Sequence, residues 1–167
     1  MQEVYQEIKK LGGDVVALSV DDVQSAVDMK DAYDLEFPVL YDTDASVVRQ
    51  WELYDLLGDG LSAPATFIIR TDGTVESALI GQTIADRPTI DSILDTLASL
   101  AGMNRAAMAE GPAGSGNEVV ASAPVRAPAI GDLAPDFRLP TAGGQTVSLG
   151  DYLGEQNVVV VFFRAWW

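Results

Sequence analysis

The chain has 167 residues, a formal net charge of −15 and neither cysteine nor histidine. Its length suits one domain with a full hydrophobic core. The missing residue types exclude disulfides, thiol catalysis, Cys/His metal centres and a Ser-His-Asp triad within these residues, and the acidity argues against nucleic acid or an anionic membrane as a partner.

In chain order, Val4, Ile8 and Leu11 share one helical face that ends at Gly12-Gly13. Residues 14–20 form an apolar run with the character of a buried strand. Asp21-Asp22 supplies cap residues, rather than an acid–base pair, for a helix carrying Val23, Val27 and Tyr33. Residues 37–41 are extended, and Asp42 or Asp44 caps a helix with Val47, Val48, Trp51 and Tyr54. A loop over residues 57–64 leads into a strand at 65–70, the turn Thr71-Asp-Gly-Thr74, and a partner strand at 75–81. An Asp-Gly pair between two strand-like runs is a strong hairpin signal. Asp86-Arg-Pro88 opens a helix with Ile90, Ile93, Leu94, Leu97 and Leu100 toward the core. Composition then turns to Ala, Gly, Ser and Pro, so residues 102–127 read as a linker with an r.m.s. reach of roughly 25–30 Å. Short β segments follow at 134–140 and 145–149. Finally, residues 158–163 are all apolar, mostly β-branched or aromatic, and read as a strand buried on both faces at the centre of a sheet. Strands alternating with helices indicate an α/β sandwich.

Two lesser motifs carry no chemistry. Asp42-Thr-Asp44-Ala-Ser46 opens like a calcium loop, but Val47 and Leu53 stand where Gly and Glu are needed. Gly58-Asp-Gly60 is too short for a dinucleotide loop. Neither a cofactor nor a metal is expected. No run is long enough to span a membrane, and the charged opening helix is unlike a signal peptide, so a cytoplasmic setting is the expectation.

Two segments carry a family resemblance. Ala134-Pro-Asp-Phe-Arg-Leu-Pro-Thr-Ala-Gly-Gly-Gln-Thr-Val-Ser-Leu149 resembles the opening of redoxins of the alkyl hydroperoxide reductase/thiol-specific antioxidant family. Ala63-Pro-Ala-Thr-Phe-Ile-Ile-Arg-Thr-Asp-Gly-Thr74 resembles the thioredoxin-fold strand that follows a cis-proline and leads into an Asp-Gly hairpin. The resemblance implies a thioredoxin-like three-layer α/β sandwich with a mixed central sheet, and residues 158–163 pairing with 15–20 on one side and 66–69 on the other.

The family's opening stands at residues 128–167 and the remainder of its domain at 1–101. The chain therefore reads as a circular permutant. Residues 1–101 are the C-terminal part of the redoxin domain, 102–127 join the old termini, and 128–167 are the N-terminal part of the same domain. Met103-Asn-Arg resembles an old initiator, and a Cys-x-x-Cys turn would belong between Trp167 and Met1. The resemblance implies that Trp166, Trp167, Ala63, Pro64 and Thr66 lie near the active site, with Pro64 cis and Ala63 offering backbone hydrogen bonds to a partner. Peroxiredoxins' Pro, Thr and Arg fall here on Val161, Ala165 and Pro64, so the peroxidase triad is not recognisable and a disulfide reductase is the nearer likeness. Arg164 reads as a structural partner for an acid at the sheet end.

Implied by this ancestry is a thiol-disulfide oxidoreductase or peroxidase, with a protein disulfide or a thiol reductant as partner. Lacking cysteine, the chain as written is expected to be redox-inactive, with no catalytic residue. The alternative is a non-catalytic thioredoxin-fold binding module, or a permutant made for folding or structural study. Oligomerisation or a swap of the strand at 158–163 is compatible with the long joining segment.

Overall fold

The computed structural model describes residues 1–109 and 126–164. A 3₁₀ turn, Gln2–Val4, leads into α1 (Tyr5–Lys10), followed by β1 (Gly13–Ser19), α2 (Val23–Ala32), β2 (Val39–Tyr41) and α3 (Ser46–Gln50). Next come β3 (Ala65–Ile69), β4 (Val75–Ile80), α4 (Ile90–Ala109), β5 (Arg138–Pro140), β6 (Thr146–Ser148) and β7 (Asn157–Phe162).

The apolar run expected at the centre of the sheet is there. Five strands stand in the order β2-β1-β7-β3-β4. β7 runs parallel to β1, with Val159 opposite Val15, and antiparallel to β3, with Val160 opposite Phe67. Strand periodicity sends alternate side chains to opposite faces. Val158, Val160 and Phe162 enter one core with Trp51, Phe67, Leu149 and Tyr152. Val159 enters the other with Ile8, Val15, Ile68 and Leu97. Each such side chain contributes about 1.5–3 kcal/mol of burial, and a strand loaded on both faces has no place at an edge. The first core is closed by α3 and the β5–β6 hairpin, the second by α1, α2 and α4. Helices, mixed sheet, and a second covering layer make the thioredoxin-like sandwich.

Local chemistry explains the element boundaries. Asp22 caps α2 by accepting from the Ser25 N–H at 2.9 Å. Both acids suggested for α3 serve it: Asp42 accepts from the N–H groups of Ser46 and Val48, and Asp44 from that of Ser46. In the β3–β4 turn, Gly73 takes φ +86°, a conformation L side chains resist, and Asp72 accepts from the Thr74 N–H and hydroxyl.

Two expectations need correction. α4 starts at Ile90 rather than at Asp86. Thr89 accepts from the Ser92 N–H, while Asp86 accepts instead from Gln82 and Thr83, closing the turn before it. α4 also continues to Ala109, so the first part of the supposed 102–127 linker is helix. Ala, Met and Arg at 103–109 are strong helix formers, and they outweigh the compositional shift. At the far end Ala127 packs against the first core and Arg126 pairs with Asp132. Residues 110–125 lie outside the described part. Among the described residues no helix is long and apolar enough to cross a membrane.

Candidate functional site

Of the residues singled out by sequence, Ala63, Pro64 and Thr66 stand at one end of the sheet, where β3 begins and β7 ends. Register places Ala65 opposite Phe162 and Thr66 opposite Val161; Ala63 and Pro64 lead into this paired end of β3, and Phe163 and Arg164 leave it from β7. Ala63, Pro64 and Thr66 are all buried. Trp166 and Trp167 lie outside the described residues.

The loop before β3 is tied down by its own backbone and acids. Asp55 and Leu61 share a backbone hydrogen bond of 2.8 Å, and the Asp55 carboxylate accepts from the Gly60 N–H at 2.7 Å. This holds Asp59 toward the sheet end, where it forms an ion pair with Arg164. Arg164 therefore does what was expected of it, pairing with an acid. Burial raises the Asp59 pKa, but the Arg164 hydrogen bond and the Leu61 N–H outweigh it and hold the carboxyl below its ordinary value. The other guanidinium nitrogen of Arg164, Nη1, is buried with no hydrogen-bond partner among the described residues.

At Pro64 the expected cis bond is absent: every described peptide bond is trans. In this geometry the Ala63 N–H donates to the Leu53 carbonyl at 2.8 Å and the Pro64 carbonyl accepts from the Gly81 N–H at 2.7 Å. Trans is the ordinary state of an X–Pro bond by about 0.5–1 kcal/mol, and these two bonds fit it. Ala63, 1% exposed, thus has its N–H engaged inside the molecule. Gly81 was not anticipated. A Cβ there would lie 2.8 Å from Pro64 Cγ and 3.0 Å from the Thr83 carbonyl, so only glycine lets the end of β4 close over the proline.

On the helix-covered face of the same strand ends lies a cavity of about 540 Å³. Ala17 of β1 with Val161 and Phe163 form its floor; the 3₁₀ turn at Gln2–Val4 and the Met29, Leu35 and Phe37 side form its walls. Val159 is fully covered, whereas Val161 and Phe163 are only half-buried, so helical cover thins toward the end of β7. Sequence reading missed this groove. The available signal was that the alternation of β7 continues through Phe163 on a face already containing Val159 and Val161. The cavity is lined mainly by carbon, and no Ser, Thr, Lys, Cys or His is among its lining residues.

Comparison with known proteins gives two kinds of match. The profile of the AhpC/TSA family covers residues 1–78 and 130–167. The thiol-disulfide oxidoreductase ResA of Oceanobacillus iheyensis is 36% identical over 88 residues, 52% of this chain and 42% of that protein. That of Bacillus cereus is 31% identical over 83 residues, 49% of this chain and 44% of that protein. The chain spans less than half the length of these curated relatives.

Proposed function

The chain belongs to the AhpC/TSA family, and on that premise we propose that it is a redoxin domain of thiol-disulfide oxidoreductase ancestry with its two parts in exchanged order. Residues 128–167 take the place of the domain's first part and residues 1–101 that of its second. The seating of β7 carries this reading: a strand that follows β1 and β3 in sequence lies between them in the sheet. The names of the relatives favour the disulfide-reductase branch over the peroxidase branch.

Thiol–disulfide exchange begins with attack of a thiolate on a disulfide sulfur and passes through a mixed disulfide. Without cysteine this sequence has no atom for that step, and no other described side chain at the sheet end supplies a sulfur nucleophile. We therefore assign the chain no thiol turnover of its own. The test is reductant-dependent loss of an insulin disulfide or of peroxide, using protein whose intact mass matches the 167-residue chain and which titrates no thiol. Rates should equal those of buffer. Turnover clearly above buffer would sink the redox-inactive reading.

One observation favours a second reading, a non-catalytic binding module. The apolar cavity beside Val161 and Phe163 is a concave surface of the size range that takes ligands, and it does not depend on a thiol.

A further inference from the structure

We infer that the groove over the end of β7 is a docking site for a basic amphipathic helix of a protein partner. The inference rests on the binding-module reading and names its partner class. Two features support a helix as the occupant. The floor consists of parallel strands β1 and β7, the surface against which helices pack in α/β proteins. The walls are a helical segment on one side, Gln2–Val4 running into α1, and the end of α2 with Leu35 and Phe37 on the other. An incoming helix would lie in the slot with anchors at i, i+3, i+4 and i+7.

Charge selects which helix. Glu3 lines the groove, and Glu36, between the lining residues Leu35 and Phe37, accepts from Gln6 Nε2 and donates its own N–H to Gln2 Oε1. Asp31 and Asp34 are exposed on the α2 side. A nearby base, Lys30, has its ammonium on the Leu35 carbonyl at 2.5 Å, directed into the loop. An apolar floor with Glu3 in its lining and exposed Asp31, Asp34 and Glu36 on the adjoining residues fits a helix with one leucine-rich face flanked by Lys or Arg. It disfavours a second copy of this chain, which brings a charge of −15.

The experiment titrates the full chain into a fluorescein-labelled helical peptide of leucine and lysine with its leucines on one face, followed by anisotropy. Two controls are run: a peptide of identical composition with scattered leucines, and one with glutamate replacing lysine. Expected is saturable one-to-one binding of the first peptide alone. Met29→Glu, at the groove wall, should weaken it by about tenfold or more, as loss of a central anchor does. Met29→Leu should bind like the parent. Glu3→Lys with Glu36→Lys should weaken binding several-fold at low salt and much less at high salt. Circular dichroism and thermal melting of each variant establish that it is folded. Equal binding of the scattered-leucine peptide would overturn the proposal in favour of general attraction to an acidic surface. Binding unaffected by folded Met29→Glu would overturn the groove as the site. Uptake of a small apolar dye at the groove without peptide binding would overturn the helical partner and leave the binding-module reading standing. Binding of neither would overturn both. Self-association that closes the groove would assign it to a second copy and overturn the partner helix.

Discussion

Among the described residues, Trp51 has the largest fully buried side chain of the core, packed against Phe67 and Phe162 with ring centroids 4.9 and 5.0 Å away, and its indole N–H has no hydrogen-bond partner there. A buried unpaired donor costs about 1–3 kcal/mol. Trp51→Phe removes that donor while keeping most of the ring, so it should change unfolding free energy by less than about 1.5 kcal/mol, whereas Trp51→Ala should cost about 3–5 kcal/mol; urea unfolding of the two variants compares them. Gly81 makes the opposite demand, for space: Gly81→Ala drives a methyl into the Pro64 ring and should destabilise by about 1–3 kcal/mol in the same measurement. At Asp59 the folded-state pKa lies below the ordinary value. Its contribution is therefore full above the ordinary carboxylate range and lost as pH falls through the folded value. Stability–pH curves of the parent and Asp59→Asn should lie apart at neutral pH and converge in acid; parallel curves would remove the Arg164 pairing from the account. A Gly with ordinary φ and an acid in a distant loop carry no local pattern, which is why Gly81 and Asp59 were not legible as parts of this site. Pro64 was expected to be cis from the motif, and its bond is trans, with Ala63 bonded to Leu53 and Pro64 to Gly81, contacts that the motif does not carry.

Between elements, Asp14 is the principal polar joint. Its carboxylate accepts from the Tyr5 hydroxyl at 2.8 Å, the Lys9 ammonium at 2.9 Å and the Gln156 amide at 3.1 Å, tying α1, β1 and the approach to β7 together. Burial, and then the bond to Asp14, holds the Tyr5 hydroxyl well above its ordinary pKa, so it remains a donor. Asp14→Ala leaves that hydroxyl buried and unpaired. We expect a loss of about 1–3 kcal/mol, much of it recovered by adding Tyr5→Phe; thermal unfolding of the single and double variants measures the recovery. The strands were the readable elements, because a β-branched run such as that of β7 or an Asp72-Gly73 turn declares itself within a few residues. The end of α4 was not. There the alanines of residues 106, 107 and 109 serve a helix or a linker equally well in composition, and only the carried-through periodicity from Leu97 and Leu100 separates the two.

At the scale of the molecule, charge sets the conditions under which the fold is held. A net charge of −15 repels itself in the compact state, and salt screens that repulsion, to a distance of about 3 Å at 1 M. The melting temperature should therefore rise with sodium chloride by several degrees before levelling. A flat or falling curve would mean that the local ion pairs, such as Lys9 with Asp14, outweigh the global term. The position of β7 has a consequence in time as well as in space. It leaves the ribosome after both strands it must join, so the nascent chain carries two bare strand edges, β1 and β3, facing an unfilled slot. Until β7 emerges, that slot will accept any extended apolar segment of matching length, and synthesis at high local concentration is where this protein is most exposed to its neighbours.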